Sequence, residues 1–124
     1  MPVIDSETCK ADKGAIPTGC PVSAFGATTL KAGKEINMRD HFHDADEFYW
    51  IASGRLIVRE EGNEYEVHAD QALWTPMGWE HGIVEVLEDT ILVWSEMTLR
   101  GKKRPGHLHR GEDEPNIVTM AKQE

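Results

Sequence analysis

Residues 33–54 read GKEINMRDHFHDADEFYWIASG, and this stretch decides the fold. His41 and His43 are two positions apart, so on an extended strand both imidazoles point to the same face. Glu47 follows after three residues, a gap short enough for the chain to bend and return a carboxylate to the same point. Two neutral imidazoles and one carboxylate form a three-sided site for a divalent first-row metal, with positions left open for water or substrate.

A second segment supplies a third imidazole. Residues 70–81 read DQALWTPMGWEH, and His81 follows a turn marked by Pro76 and Gly78. Proline and glycine fix such a turn and so aim the strand that follows it. An HxH pair alone often has no function on a surface strand. Together with Glu47 and with a third histidine behind this turn, the pair favours a metal site.

Short β-rich segments, each closed by a turn signal, surround these two motifs. Glu61-Gly62-Asn63 separates two of them as a short hairpin loop, and Leu87-Glu88-Asp89 separates the last two. No stretch has a 3.6-residue apolar stripe long enough for a structural helix. The pattern therefore predicts a closed or nearly closed β-sandwich, a jelly roll or a small barrel. The predicted strands are Phe25–Leu30, Glu35–Arg39, Glu47–Ala52, Arg55–Glu60, Glu64–His68, Ala72–Thr75, Gly82–Val86 and Thr90–Met97.

These residues resemble the two motifs of the cupin superfamily. The matching patterns are His41-x-His43-x3-Glu47-x6-Gly54 and Pro76-x-Gly78-x2-His81. The resemblance implies a small single-domain metalloprotein, an all-β cupin jelly-roll β-barrel that holds one divalent transition metal ion at its centre. The ligands implied are His41, His43, Glu47 and His81.

The chain departs from the cupin pattern at three positions. Gly33 precedes His41 by one residue more than is usual, Asp70 stands where the second motif opens with glycine, and Glu85 replaces its closing asparagine. None of these departures removes a ligand. They affect the surroundings of the implied site.

The chain divides into three parts. Residues 1–23 contain several glycines and prolines without periodicity and are expected to form an irregular N-terminal arm. Residues 24–100 are the expected cupin β-barrel domain. Residues 101–124 are expected to form a C-terminal tail, in which Ile117–Met120 could add an edge strand.

Side-chain alternation suggests further site residues. If the strand after His81 is regular, Glu85 also faces inward, where it could act as an acid or base, although a turn or bulge would place it on the surface. Tyr49 has the same parity as Glu47 and is a candidate catalytic residue that could donate a hydrogen bond; packing is its alternative role. The remaining histidines are interpreted as non-ligands, because four ligands already complete a coherent site. They are His68, His107 and His109.

Composition limits the partners. Thirteen basic against 22 acidic residues give a net charge of −9, which disfavours nucleic acid. No apolar run approaches the roughly 20 residues that span a bilayer, and the first residues lack the features of a secretory signal. We therefore expect a cytoplasmic protein with neither nucleic acid nor a membrane as partner. Cys9 and Cys20 are expected to be reduced thiols, with a disulfide or a thiol near the metal as alternatives.

The cupin resemblance allows several reactions, because the fold does not choose among them. Three imidazoles and a carboxylate suit redox-active iron, which favours a dioxygenase; manganese, nickel, cobalt, copper and zinc fit the same ligands. The alternatives are an isomerase or epimerase, a lyase or decarboxylase of a sugar or organic acid, and a non-catalytic binding or sensor module.

A divalent ion beside one carboxylate leaves the implied site about one unit positive, which suits a small anionic or metal-chelating substrate. Four tryptophans in so short a chain, with the candidate edge strand in the tail, predict a homodimer.

Overall fold

The fold is a single antiparallel sheet of five strands, seen here in a computed structural model that describes residues 4, 6, 20–36, 38–97 and 107–113. This architecture confirms the expected all-β jelly-roll fold. The strands are β1 (Val22–Leu30), β2 (Glu47–Glu60), β3 (Asn63–His68), β4 (Ala72–Thr75) and β5 (His81–Met97).

Two long strands organise the sheet. β2 pairs with β5 from Glu47 opposite Glu96 to Glu60 opposite His81. β1 lies on the other edge of β5, whereas β4 pairs with the first part of β2 and β3 with its second part. The two halves of β2 therefore share the partner β5 on one side but have different partners on the other side.

The sheet bends at Gly54, in the middle of β2. Gly54 has a φ of +95°, a conformation that favours glycine, and several register shifts between β2 and β5 occur between Ile51 and Val58. The bend lets side chains from both halves of the sheet pack together. The resulting buried cluster contains Ile51, Leu56, Val58, Val67 and Leu92.

The hairpin between β2 and β3 is as predicted. Glu60 pairs with Asn63, and the two residues between them, Glu61 and Gly62, have positive φ angles of 45° and 82°. Two such residues form the turn whose twist matches that of the flanking strands.

Three other sequence predictions are wrong. The strands predicted separately at Glu47–Ala52 and Arg55–Glu60 are the single strand β2. Residues 35, 36, 38 and 39 belong to no strand, so the predicted strand Glu35–Arg39 is not formed. The expected turn at residues 87–89 is instead part of the continuous strand β5. The acidic side chains in this part of β5 have polar partners. Glu88 contacts the Arg55 guanidinium at 2.9 Å, and Asp89 accepts a hydrogen bond from the Ala32 N–H at 2.9 Å.

Most of the predicted arm and most of the predicted tail lie outside the described residues, as do Cys9 and Ile117–Met120, whereas Val22 and Ser23 at the end of the predicted arm belong to β1. Their roles and the exact domain limits stay predictions. Among the residues described, no helix is long and apolar enough to cross a membrane.

Candidate metal centre

The two histidine motifs are joined through their backbones. The His41 N–H donates to the His81 carbonyl at 2.9 Å, and the His81 N–H donates to the His41 carbonyl at 2.8 Å. Both side chains are buried, with 2% exposure each. The two histidine motifs, which lie far apart in the sequence, are therefore held together by this pair of backbone hydrogen bonds.

The turn before His81 is bound to the segment that carries the other ligands. The Gly78 N–H donates to the His43 carbonyl at 2.9 Å, and the Met77 N–H donates to an Asp46 carboxylate oxygen at 3.0 Å. Gly78 has a φ of +87°, which explains the glycine at this position. The turn thus fixes the loop between His43 and Glu47.

Three of the four predicted ligands, His43, Glu47 and His81, converge in one donor group, and the His41 ring lies next to them. His43 Nε2 lies 2.6 Å and His81 Nε2 lies 3.8 Å from Glu47 Oε2, and the ligand atoms of these three residues all lie within 4.8 Å of one another. The His41 ring lies 4.5 Å from the His81 ring and 4.9 Å from the His43 ring. His41 belongs to a second, overlapping donor group, with His43 and His107.

Each motif imidazole is held by a contact at its Nδ1 atom. His41 Nδ1 lies 3.1 Å from the Arg39 carbonyl, and His81 Nδ1 lies 3.0 Å from the Trp79 carbonyl. Because a carbonyl only accepts, both Nδ1 atoms carry the proton, and Nε2 is left as the donor to a metal. These carbonyl partners could not be predicted from the sequence.

The donor set fits a divalent metal ion. His81 Nε2 is buried and has no hydrogen-bond partner in the described part of the chain, which is unusual for a buried polar atom. It points at the carboxylate of Glu47, as a ligand nitrogen would. Imidazoles and a carboxylate are ligands that iron, manganese, nickel, copper, cobalt and zinc accept.

The electrostatics separate His43 from the other two motif histidines. Burial, with the nearby His81 and other imidazoles, lowers the pKa of His41 to about 2, and burial also lowers the pKa of His81. Burial acts in the same direction on His43, but hydrogen bonds to Glu47 and Glu96 outweigh it and raise the pKa to about 10. Without metal, His43 is therefore an imidazolium between two carboxylates, and a metal ion has to displace its proton.

Glu47 is kept ionised by its neighbours. Burial alone would raise its pKa, but the hydrogen bond and charge of His43, the charge of His81 and a hydrogen bond from Tyr49 together lower it. Burial and the Glu47 charge raise the pKa of the Tyr49 phenol well above its ordinary value. Tyr49 is thus a neutral hydrogen-bond donor to Glu47, and its catalytic role stays a prediction.

The donor atoms face a cavity of about 370 Å³. One wall carries the histidines and carboxylates, and the rest is largely apolar. The tryptophan in this lining is Trp94. Apolar wall residues include Leu30, Val58, Leu73, Ile83 and Leu92.

Of the two positions considered for Glu85, the structure shows the one at the surface, which argues against the catalytic role suggested for it. Ile83 is opposite Val58 and lines the cavity, but the next pair joins Glu85 to Ile57, so Val84 is an extra residue in β5. Such a bulge reverses the side-chain alternation beyond it. Glu85 is consequently exposed and lies outside the cavity that holds the candidate ligands.

Two residues at the site were not identified as site residues from the sequence. Glu96 is buried and its Oε1 lies 2.9 Å from His43 Nδ1. His107, interpreted from the sequence as a non-ligand, lines the same cavity. His68 is exposed, and its Nδ1 atom lies 3.1 Å from the neighbouring Ala69 carbonyl. The one available signal for Glu96 is its even spacing from Trp94 and Leu92 on a predicted strand, which places all three on one face.

Glu96 should tune the affinity of the site. Glu96→Gln keeps the shape of the side chain but removes the negative charge beside His43, and we expect it to weaken Zn²⁺ binding by about 10–100-fold. Competition with a chromophoric chelator measures this change. The matched control is Glu88→Gln, an exposed carboxylate in the same strand. Equal affinities for the Glu96 variant and the wild type would contradict the prediction.

A further buried acid, Glu60, lies behind the site. It is 3% exposed and accepts a hydrogen bond from the Thr75 hydroxyl. Burial, reinforced by the charges of Glu47 and Glu61, raises its pKa to about 7 despite that hydrogen bond.

This raised pKa has a consequence for stability. A carboxyl whose pKa is higher in the folded than in the unfolded protein destabilises the fold progressively as the pH rises from about 4.5 to about 7. In metal-free protein, Glu60→Gln should remove this loss and raise the free energy of unfolding at pH 8 by about 3 kcal/mol, with little change at pH 4.5. Urea titrations at both pH values test this, with the exposed Glu85→Gln as control. An identical pH dependence in the Glu60 variant and the wild type would refute it.

Comparison with known proteins gives one family match. The family described as Cupin domain matches residues 27–98, which is more than half of the chain. This range includes both histidine motifs and all of the strands from the middle of β1 onward.

The similar proteins are distant. An uncharacterized protein of Sinorhizobium fredii, y4oW, is 33% identical over 98 residues, which cover 73% of this chain and 45% of that protein. This chain spans less than two thirds of the length of the curated relatives it matches.

Two solved structures share the fold at low sequence identity. The DMSP lyase DddQ of Ruegeria pomeroyi has a TM-score of 0.58 at 21% identity, over 73% of this chain and 45% of that one. A predicted oxalate decarboxylase of Thermotoga maritima has a TM-score of 0.57 at 17% identity, over 78% of this chain and 76% of that one.

Proposed function

This chain belongs to the cupin domain family, and on that premise we propose that it is a metal-dependent enzyme acting on a small oxygen-rich organic molecule. One observation carries the proposal. The donor atoms of His43, Glu47 and His81 converge at the wall of a cavity of about 370 Å³, a volume that suits a small-molecule ligand.

Each part of the site has a definite task in this proposal. His41, His43, Glu47 and His81 would hold one divalent ion, which would supply Lewis-acid polarisation or, if it is iron, redox chemistry with dioxygen. Tyr49 donates a hydrogen bond to Glu47 and so favours its ionised, ligating form. The apolar walls exclude water from the bound substrate.

The charge of the site is lower than the sequence suggested. A divalent ion beside Glu47 alone would leave one positive charge, but the second buried carboxylate, Glu96, brings the simple count to about zero. Chelation, rather than net attraction, would then select the substrate. Arg59 also lines the cavity, yet it already contacts Asp40 at 3.2 Å and Glu64 at 3.3 Å.

Dioxygenase chemistry is the first candidate, because histidine nitrogens and a carboxylate with open positions suit iron. A lyase or decarboxylase is the second candidate, since two solved proteins of the same fold bear those names. An isomerase or epimerase, and a binding or sensor module without turnover, use the same cavity and donors.

The test is elemental analysis of tag-free protein, followed by oxygen-uptake assays after reloading with Fe(II) and a panel of diketones, hydroxy acids and catechols. Stoichiometric iron with substrate-dependent oxygen consumption is the expected result. Manganese, nickel or zinc without oxygen uptake would replace the dioxygenase with a lyase or isomerase. Protein that binds no metal even after reloading would overturn the proposal.

A further inference from the structure

A short C-terminal segment, residues 107–113, packs against the histidine motif. Phe42 and Leu108 exchange two backbone hydrogen bonds of 2.8 and 3.0 Å. The two side chains are 0% and 1% exposed. Burial of two large apolar side chains gives this segment a stable position beside the ligands.

Polar contacts fix the rest of the segment. Arg110 contacts Glu61 Oε1 at 2.6 Å and the Gly78 carbonyl at 3.2 Å, and Glu112 contacts Arg39 at 2.6 Å. Exposed ion pairs contribute at most about 1 kcal/mol each, so they orient the segment while Leu108 anchors it.

This docking places one histidine of the segment at the ligand cluster. The His107 ring lies 3.9 Å from the His41 ring and 5.5 Å from the His43 ring. Ligand atoms of these three histidines lie within 4.8 Å of one another, and His107 also lines the cavity. His109, two residues later, is 6.5 Å from the His41 ring and belongs to neither donor group.

We propose that His107 is a ligand of the metal ion, supplied by the C-terminal segment in addition to the motif residues. The inference rests on the metal site of the proposed function and deepens it. His43 belongs to both donor groups, so it is the residue that connects His107 with Glu47 and His81.

A further imidazole changes which ions the site prefers. Nitrogen-rich donor sets suit iron, nickel, copper and zinc better than magnesium or manganese. The additional ligand also couples metal binding to docking of the segment, because His107 can bind the ion only when residues 107–113 are docked. Metal binding should therefore stabilise the docked segment by the same free energy that docking adds to metal binding.

The test uses Co(II), whose visible absorption reports its ligands, and compares His107→Ala with the matched variant His109→Ala. We expect His107→Ala to change the d–d spectrum and to weaken Co(II) binding about tenfold or more, while His109→Ala leaves both unchanged. Because His107 is exposed, its variant should fold, and circular dichroism checks this. A wild-type spectrum and affinity in His107→Ala would overturn the proposal.

A second measurement follows the segment itself. Trypsin cleavage after Arg110 should slow when Co(II) is added to the wild type, and this protection should disappear in His107→Ala. Protection that persists in the variant would count against His107. If the wild type bound no Co(II), the metal site itself would fail; if His43→Ala lost Co(II) while His107→Ala kept the spectrum, only this inference would fail.

Discussion

We expect His43→Ala and Glu47→Ala to abolish metal binding but to keep the β-sheet. His43 belongs to both donor groups, and the Glu47 carboxylate lies between His43 and His81, so neither position has a substitute. Loss of either side chain should lower metal affinity by more than about 100-fold, beyond the effect expected for a residue that only supports a ligand. Elemental analysis of the purified variants measures the loss.

The fold should survive these changes, although its stability falls. In the metal-free protein, removal of His43 leaves the buried carboxylates Glu47 and Glu96 without their shared cation, at a cost of about 3 kcal/mol or more. Glu47→Gln, which keeps the volume, serves as the milder variant. His68→Ala is the control, because His68 is exposed and away from the cavity. Wild-type metal content in both alanine variants would exclude the site.

Gly54→Ala should be the most destabilising of the small substitutions in the sheet. A Cβ at Gly54 would lie 2.3 Å from the Asp89 carbonyl oxygen and 2.7 Å from the Thr90 Cα. Both atoms belong to the backbone of β5, so they cannot move away without disturbing the pairing with β2. We expect the free energy of unfolding to fall by more than about 3 kcal/mol.

Gly62→Ala separates steric conflict from backbone strain. Gly62 has a similar φ of +82°, but a Cβ there would meet nothing within 4 Å. It should therefore cost only the strain of a positive φ, about 1 kcal/mol. Urea unfolding of both variants gives the comparison. Equal losses would mean that the bend at Gly54 tolerates a side chain.

The motif residues could be predicted because their spacing along the chain brings metal-binding side chains together. His41, His43 and Glu47 lie within one short segment, so local chain geometry brings them together. The proline and glycine before His81 indicate the turn that precedes it. The strands that alternate regularly, such as β4, also follow from the pattern.

The missed residues depend on pairing between distant parts of the chain. Glu96 contacts His43 because β2 and β5 pair in one particular register. His107 lies at the site because its neighbour Leu108 pairs with Phe42. The orientation of Glu85 could not be decided from the sequence, because one extra residue in β5 reverses the alternation. The acidic run before Thr90 resembled a turn, since nothing local shows that Arg55 and Lys31 are its partners.

Dioxygenase activity, a cytoplasmic location and the roles of the cysteines stay predictions. They depend on substrate, cell compartment or residues outside the described part of the chain.

The reciprocal hydrogen bonds between His41 and His81 involve only main-chain atoms. These backbone hydrogen bonds set the distance between the two histidine motifs. They do not depend on the side chains at positions 41 and 81. For protein engineering, this makes the barrel a reusable scaffold. Imidazoles could be exchanged for carboxylates or thiolates to change metal preference, while the backbone that presents them keeps its geometry.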